Sequence, residues 1–547
     1  MPVRWPWWAS AAAALALIAG MTLLPLGAML REAGAIDWRA VTNDTYLQRV
    51  IRFSLYQAFA STALALLSAI PVALALSHKP SFPGRSVIVA LFSLSLVIPT
   101  IVAIYGIVAV FGRTGWLSEV LALMDIKPLP FYGLPGILIA HVFFNMPLAA
   151  RILLNSLESI PADNWRLCRQ LGMSPWAIFR HLEWHRMKHQ LPALALLIFT
   201  LCFTSFAIVM TLGGGPRSTT IEVAIYQALR FDFDINLAVT LACIQLLICL
   251  SLMALSTVLR HDNSMGFDIY KTPFKSNSGP HGNNPRQGLW QGPAWYMIHA
   301  GVLFSGITLV VTPLLALLVS SVNGKTLSVL ADTSTLSALG NTLAVSLSAA
   351  CLSVTLGLAL LQGTRHLRIR LAQERVGQWL QLTGNIILVL PPLVLGTGLF
   401  LLLRPLADVF SIALVLVVMI NSLMALPFVL RILDAPVMNA ANAQDRLLRS
   451  LGIQGWNRWR HIDWPQLRKP LALALALAAT LAAGDLSAIA LFGSERVRTL
   501  PLLLYQRMGS YRLEEAAVTA GILLLSCLFL FAIIQWLIGG REHARTR

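Results

Sequence analysis

The chain has 547 residues, of which 57% are hydrophobic and only 12% charged. That charged fraction is about half that of an ordinary soluble protein and leaves too little polar surface to clothe the several water-soluble domains such a length would otherwise make. The net charge of +17 would suit a nucleic-acid partner in a soluble protein, but in a membrane protein an excess of Lys and Arg sets orientation, so no nucleic-acid partner is expected.

A helix crossing the hydrocarbon core needs about 20 mostly apolar residues. In chain order the runs that meet this length are 7–30, 53–76, 87–111, 132–154, 191–212, 237–259, 294–320, 339–361, 380–403, 409–433, 471–492 and 516–538. The first follows a single basic residue, Arg4, and exceeds the about 7 to 15 residues of a secretory signal core, so it reads as an uncleaved helix with Trp5, Trp7 and Trp8 at the interface. Prolines at 71, 99, 147, 391, 392 and 427 fall inside several runs, which membrane helices tolerate when neighbours satisfy the freed carbonyls. No run alternates polar and apolar residues as a barrel strand would. The expected fold is therefore an all-α polytopic membrane protein of about twelve spans in a lipid bilayer.

Twelve crossings put both termini on one side. The loops on that side carry 27 Lys and Arg against 10 Asp and Glu, whereas the opposite loops with Asp485 carry 14 of each. The terminal side is thus expected to be cytoplasmic. Cys168, Cys202, Cys243, Cys249, Cys351 and Cys527 form no CxxC pair or disulfide framework. A Ser-, Asn-, Gly- and Pro-bearing segment, 261–293, divides the chain into 1–260 and 294–547 and reads as a cytoplasmic linker.

The halves repeat. Shifted by 280 residues, Pro147–Trp184 aligns with Pro427–Trp464 without a gap, and 13 of the 38 positions are identical, among them Arg166/Arg446, Gly172/Gly452, Trp176/Trp456 and Trp184/Trp464. Each copy runs from a membrane helix into a loop of about thirty residues, around 161–185 and 440–465, and the same number of spans precedes each. Six helices therefore repeat in parallel orientation, about an axis along the membrane normal. In the first loop Ser174–Pro175 predicts a helix restarting after Gly172, with Ser as N-cap and Pro at the first helical position. Each loop has three Trp residues: 165, 176 and 184, then 456, 459 and 464. They suit either internal packing or an arginine-rimmed anchor for a partner.

These loops resemble the EAA loops of ABC importer permeases. Gly452 is followed after nine residues by Ile462-Asp463-Trp464-Pro465, and Gly172 at the same spacing by Leu182-Glu183-Trp184-His185, with His where the pattern has Pro. The EAA triplet itself is replaced by Arg166-Leu167-Cys168 and Arg446-Leu447-Leu448. The resemblance implies the type I importer permease (MetI-like) fold, and a coupling role for Arg166, Gly172, Trp176, Trp184, Arg446, Gly452, Trp456, Ile462, Trp464 and Pro465 against two copies of a cytoplasmic ATPase. His141-Val-Phe-Phe-Asn-Met-Pro147, Leu212–Pro216 running into Thr220–Leu229, Gly484-Asp485 and Arg498–Gln506 are similar to the fused permeases of bacterial thiamine and thiamine pyrophosphate importers. That likeness implies a bacterial inner membrane, a periplasmic thiamine-binding protein, and import of thiamine and its phosphates. Ferric-iron permeases share the architecture and stand as the alternative; an ion-coupled secondary transporter is the reading from another class.

No nucleotide-binding motif accompanies these features. Gly324-Lys325-Thr326 imitates the end of a P-loop, but position 319, where the first Gly belongs, is Val. The chain is expected to be no enzyme and to hold no cofactor, ATP and Mg being bound by the partner ATPase. His181, His185 and His189 are one turn apart, but Arg180, Arg186 and Lys188 around them disfavour a metal, and none is expected. Polar residues within spans are functional candidates, here Asp485 and the pair His141 and Asn145 on one helical face. An inward Asp485 would offset desolvation of a cationic cargo, or else bond to a neighbouring helix or backbone amide.

Overall fold

Apolar runs without water must satisfy their backbone internally, and all regular structure among the described residues is helical. The computed structural model describes residues 7–33, 43–79, 82–94, 98–128, 130–259, 292–370, 390–406, 408–450, 455–495 and 497–539, with isolated positions between 373 and 387. The linker read at 261–293 lies outside the described residues except for its last two, as do the side chains of Trp5, Trp7 and Trp8.

Among the described residues, nine helices are long and apolar enough to cross a bilayer, or ten if one bent pair is counted as a span. The bent pair is Leu191–Phe203 and Phe206–Leu212, which meet at 52°. Three further runs of the twelve expected are broken or shortened. The run 87–111 is two helices, Arg85–Leu94 and Thr100–Phe111, the second starting after Pro99. In the run 380–403 only Pro392–Leu403 is a helix of any length among the described residues, again starting after a proline, Pro391. A proline has no N–H to give the preceding turn, so it opens a helix more readily than it continues one. The run 471–492 is Trp464–Ala483 followed by Ser487–Phe492, broken at Gly484-Asp485-Leu486.

These breaks are paired by the repeat. Residues 204 and 205, where the first half bends, fall 280 positions before 484 and 485. Other pairs match as well. Asp44 caps the Thr45–His78 helix by accepting from the Tyr46 amide (2.7 Å), and Asp332 caps Thr333–Arg365 by accepting from the Ser334 amide (3.1 Å). The Ser54 hydroxyl accepts from the Ile221 amide at 2.9 Å and the Thr342 hydroxyl from the Leu500 amide at 2.8 Å, each fastening a short helix, Ile221–Gln227 or Leu500–Gly509, to the second helix of its half. One departure has a sequence cause. Leu134–Glu158 ends before Pro161, whereas its counterpart, with Ala at 441, runs unbroken through Ala413–Ser450.

Each half lends its first helix to the other. Trp7–Ala33 packs on Pro392–Leu403 and Thr333–Arg365, while Pro293–Ser320 packs on Thr100–Phe111 and Thr45–His78. The two crossings are built alike, Gly106 lying against the Pro313 carbonyl and Gly398 against the Pro25 carbonyl. Glycine is needed there because no side-chain atom fits between the backbones. The helix breaks of the two halves also meet, Gly484 resting on Pro99.

At the end of the bundle away from the repeated loops, a buried guanidinium closes the second half. Arg507 donates to Asp332 (2.8 Å), Thr335 (3.0 Å) and Thr519 and lies 3.6 Å from Glu515. The Ser334 hydroxyl, ahead of Arg507, holds the Asp332 carboxyl below its ordinary range. Removing one member of such a buried network costs about 3–5 kcal/mol. Arg507→Ala should therefore lower the thermal midpoint of the purified protein markedly, read by unfolding in detergent; an unchanged midpoint would show the network to be idle.

Candidate functional site: the paired loops and the seam

The first loop forms because its local signals agree. Pro161 starts Ala162–Gln170, whose Trp165 and Cys168 lie three apart and both turn inward. The helix closes with Gly172 at φ +59°, the Met173 amide bonding to the Cys168 carbonyl at 3.1 Å and the Gly172 amide to Arg169 at 3.1 Å. This is the left-handed cap that glycine allows. Ser174 then accepts from the Ala177 amide at 3.3 Å and Pro175–Ile178 begins, as expected. The chain continues through the wider turn Phe179–Glu183 into Trp184–Lys188.

Of the three Trp residues in this loop, Trp165 is buried, whereas Trp176 is 68% and Trp184 38% exposed. The Phe179 ring lies 5.4 Å from Trp176 and 6.1 Å from Trp184, so the three rings make one exposed aromatic strip. Arg166 pairs with Asp163 at 3.0 Å on the exposed face. In the second loop, Gly455–Arg458 leads through Trp459–Asp463 into Trp464–Ala483. Ile462 is half-buried, Trp464 is 40% exposed beside Trp459 (6.3 Å), and Pro465 sits exposed in the first turn. Gly452 and the side chains of Arg446 and Trp456 lie outside the described residues.

The residues that fasten these loops are ones the sequence comparison missed. Glu183 and Asp463 are both buried, 280 apart, and counted as a mismatch because one is Glu and the other Asp. An acid conserved in charge between the copies was the available signal. Glu183 Oε1 lies 2.7 Å from His78 Nε2, and His78 Nδ1 lies 2.9 Å from His299 Nε2. The first loop is thereby tied through the end of Thr45–His78 to the helix exchanged from the other half. Beside it, Lys79 stands 3.7 Å over the Tyr296 ring. Asp463 instead meets two guanidinium groups, Arg458 at 3.3 Å and Arg365 at 3.6 Å. Each loop is thus pinned to the second helix of its half by an acid.

The intramembrane candidates separate. Asp485 sits at the helix break and accepts from the Ser487 amide (3.1 Å) and the Ala488 amide (3.0 Å). Its counterpart in the first half, Ser205, gives its proton to the Cys202 carbonyl (2.9 Å), so His141 donates to it from Nε2 (2.8 Å) and accepts from Ser61 at Nδ1 (2.8 Å). Asn145 donates to the His141 carbonyl (2.9 Å) and the Cys202 sulfur (3.3 Å). His141 and Asn145 therefore join three helices of the first half, while Asp485 stands at the seam. A second acid, Glu222, lies there too, fully buried in Ile221–Gln227, although its segment reads as an outer loop in sequence.

Comparison with known proteins adds to this geometry. Residues 63–263 and 356–541 match the family described as binding-protein-dependent transport system inner membrane component. Neither segment includes an exchanged first helix. The thiamine transport system permease protein of Salmonella typhimurium is 40% identical over 97% of this chain and 96% of its own length. That of Escherichia coli is 41% identical over 97% of both, and that of Brucella abortus 42% over 98% of this chain and 95% of its own.

Proposed function

The chain belongs to the family of binding-protein-dependent transport system inner membrane components, and from that premise we propose that it is the permease of an ATP-driven importer carrying thiamine and its phosphates inward. The observation that carries the substrate is the end-to-end match, at 40 to 42% identity, with relatives named as thiamine permeases. The ferric-iron and ion-coupled readings have no comparable support.

The remaining parts follow from the residues. Residues 1–260 and 294–547 act as the two halves, joined by the segment 261–293, with the basic, loop-bearing end and both termini in the cytoplasm. Two copies of a separate ATPase, which bind ATP and Mg, dock on the two loops. The aromatic strip of Trp176, Phe179 and Trp184 and the Trp459–Trp464 pair supply apolar anchors, with Arg166 and Arg460 at their rims. Gly172, and Gly452 at the same place in the second loop, shape the turn that presents them; Arg446, Trp456, Ile462 and Pro465 complete the second docking surface. A thiamine-loaded periplasmic protein delivers cargo at the opposite end. Closure of the ATPase pair moves the loops together, and the pinned acids carry that motion into the helices. Asp485, at a helix break on the seam, offsets the fixed positive charge of the thiazolium ring as it passes.

The test is uptake into vesicles containing this chain with its ATPase and binding-protein partners. ATP-dependent accumulation of labelled thiamine or its phosphates is expected. Accumulation of ferric iron instead, or of thiamine driven by an ion gradient without ATP, would overturn the reading.

A further inference from the structure

Among the acids at membrane depth, Glu222 is the one whose chemistry is left incomplete. It is fully buried, and its position is fixed from three sides. The Ile221 amide is held by Ser54, ten residues into the Thr45–His78 span, and the Glu222 carboxylate accepts from Gln245, eleven residues into Ile235–Leu255. At 1.5 Å per residue both partners lie about 15 Å along their helices from the end away from the loops. The third side is the other half of the chain: Ile221–Gln227 packs on Pro392–Leu403, and Asp485 of that half lies within electrostatic reach.

Only one carboxylate oxygen of Glu222 is used. Gln245 donates to Oε1 at 2.8 Å, while Oε2 has no hydrogen-bond partner; Gln245 Oε1 and Thr220 Oγ1, close by in sequence or contact, are likewise buried and unpartnered. The Glu222–Gln245 pair thus keeps two buried oxygens with hydrogen-bonding capacity to spare. Among the described residues neither acid is in a salt bridge: Glu222 accepts from Gln245, and Asp485 accepts from the Ser487 and Ala488 amides. Arg230, on the same segment, is committed across the seam to the Gly493 carbonyl (2.8 Å) and the Phe410 ring (5.3 Å). A buried carboxyl with an unpartnered oxygen is unfavourable in either protonation state, and two acids facing one seam raise the cost of ionising both. A stable fold that needed neither would do better with amides.

We propose that Glu222, with Gln245 and with Asp485 from the other half, forms a transient counter-ion site for an organic monocation at the seam between the halves. Resting on the function proposed above, this assigns Glu222 to the thiazolium ring of the cargo, with Gln245 Oε1 free to accept from the amino group on the cargo's pyrimidine ring. Because each half supplies one acid, movement of the halves assembles and dismantles the site. The cation is held strongly only in one arrangement and is released as the carboxylates separate.

The experiment uses the full chain with both partner proteins in vesicles and reads thiamine molecules moved per ATP hydrolysed. Glu222→Gln keeps the shape and should lower this ratio at least tenfold, and Glu222→Asp, which keeps the charge, should recover most of it. A ratio unchanged in Glu222→Gln overturns the assignment, even if total uptake falls, because loss of assembled complex lowers transport and hydrolysis together. Equal failure of Glu222→Asp and Glu222→Gln also overturns it, since charge would not be what matters. Wild-type vesicles that carry another cargo but no thiamine would instead defeat the proposed function, an outcome read before any variant is compared.

Discussion

Gly398→Val should leave little folded permease, and Gly106→Val should do the same. A Cβ at Gly398 would stand 2.5 Å from the Pro25 carbonyl oxygen and one at Gly106 would stand 2.4 Å from that of Pro313. In both cases the obstacle is backbone, which cannot rotate aside as a side-chain tip can. Overpacking of this kind costs about 1–3 kcal/mol when side chains absorb it, and the upper end or beyond applies when a helix must withdraw. The withdrawing helix is the one borrowed from the other half, so the loss falls on the contact that joins the two. The readouts are the monodisperse fraction on size exclusion after detergent extraction and the thermal midpoint of what remains. The two glycines have separate partners, and the double variant should show additive losses. A Gly398→Val protein as abundant and as stable as the parent would mean that the helices are not in close contact.

The second large effect concerns the loop acids. Glu183→Ala should strip transport from an otherwise extractable protein. Breaking a buried ionic or hydrogen-bonded pair by removing one member costs about 3–5 kcal/mol, equivalent to roughly a hundredfold or more in the population of the correctly seated loop. Glu183→Gln can still accept from His78 and should lose far less. Asp463→Ala should resemble Glu183→Ala, because Arg458 and Arg365 would be left facing one another without the carboxylate between them. The measurement is ATP-dependent thiamine uptake beside co-purification of the ATPase. Full uptake by Glu183→Ala would show that the acid does not hold the loop in a working position.

Much of this site was legible in the residues, for reasons that are local. Gly172, Ser174 and Pro175 specify a turn and a restart whatever the rest of the chain does, and the structure has both. Trp176 and Trp184 could be picked out by their recurrence, but which of the three Trp residues turned inward depended on helix phase against the bundle; Trp165 shares its inward face with Cys168. Glu222 escaped because a seven-residue helix offers no window long enough to read as membrane. The one hint was a lone acid inside an apolar run from Ile221 to Ile225. Helix exchange had no local signature at all. It depends on contacts between residues hundreds of positions apart, and the repeated motif covers only the fourth span and its loop in each half.

That exchange has a consequence for how the protein is made. The Gly106 surface cannot be covered until Pro313 has been synthesised and inserted, and the Pro25 surface must wait longer still, for Gly398. At about 5–20 residues per second, the roughly two hundred residues between Gly106 and Pro313 take on the order of ten seconds or more to emerge. For that interval the early helices lie in the bilayer with the groove at Gly106 open to lipid or to whatever helix diffuses past. The chain is thus finished from its far end, and biogenesis has a period in which a membrane chaperone, or a mispaired neighbour, competes for the same groove.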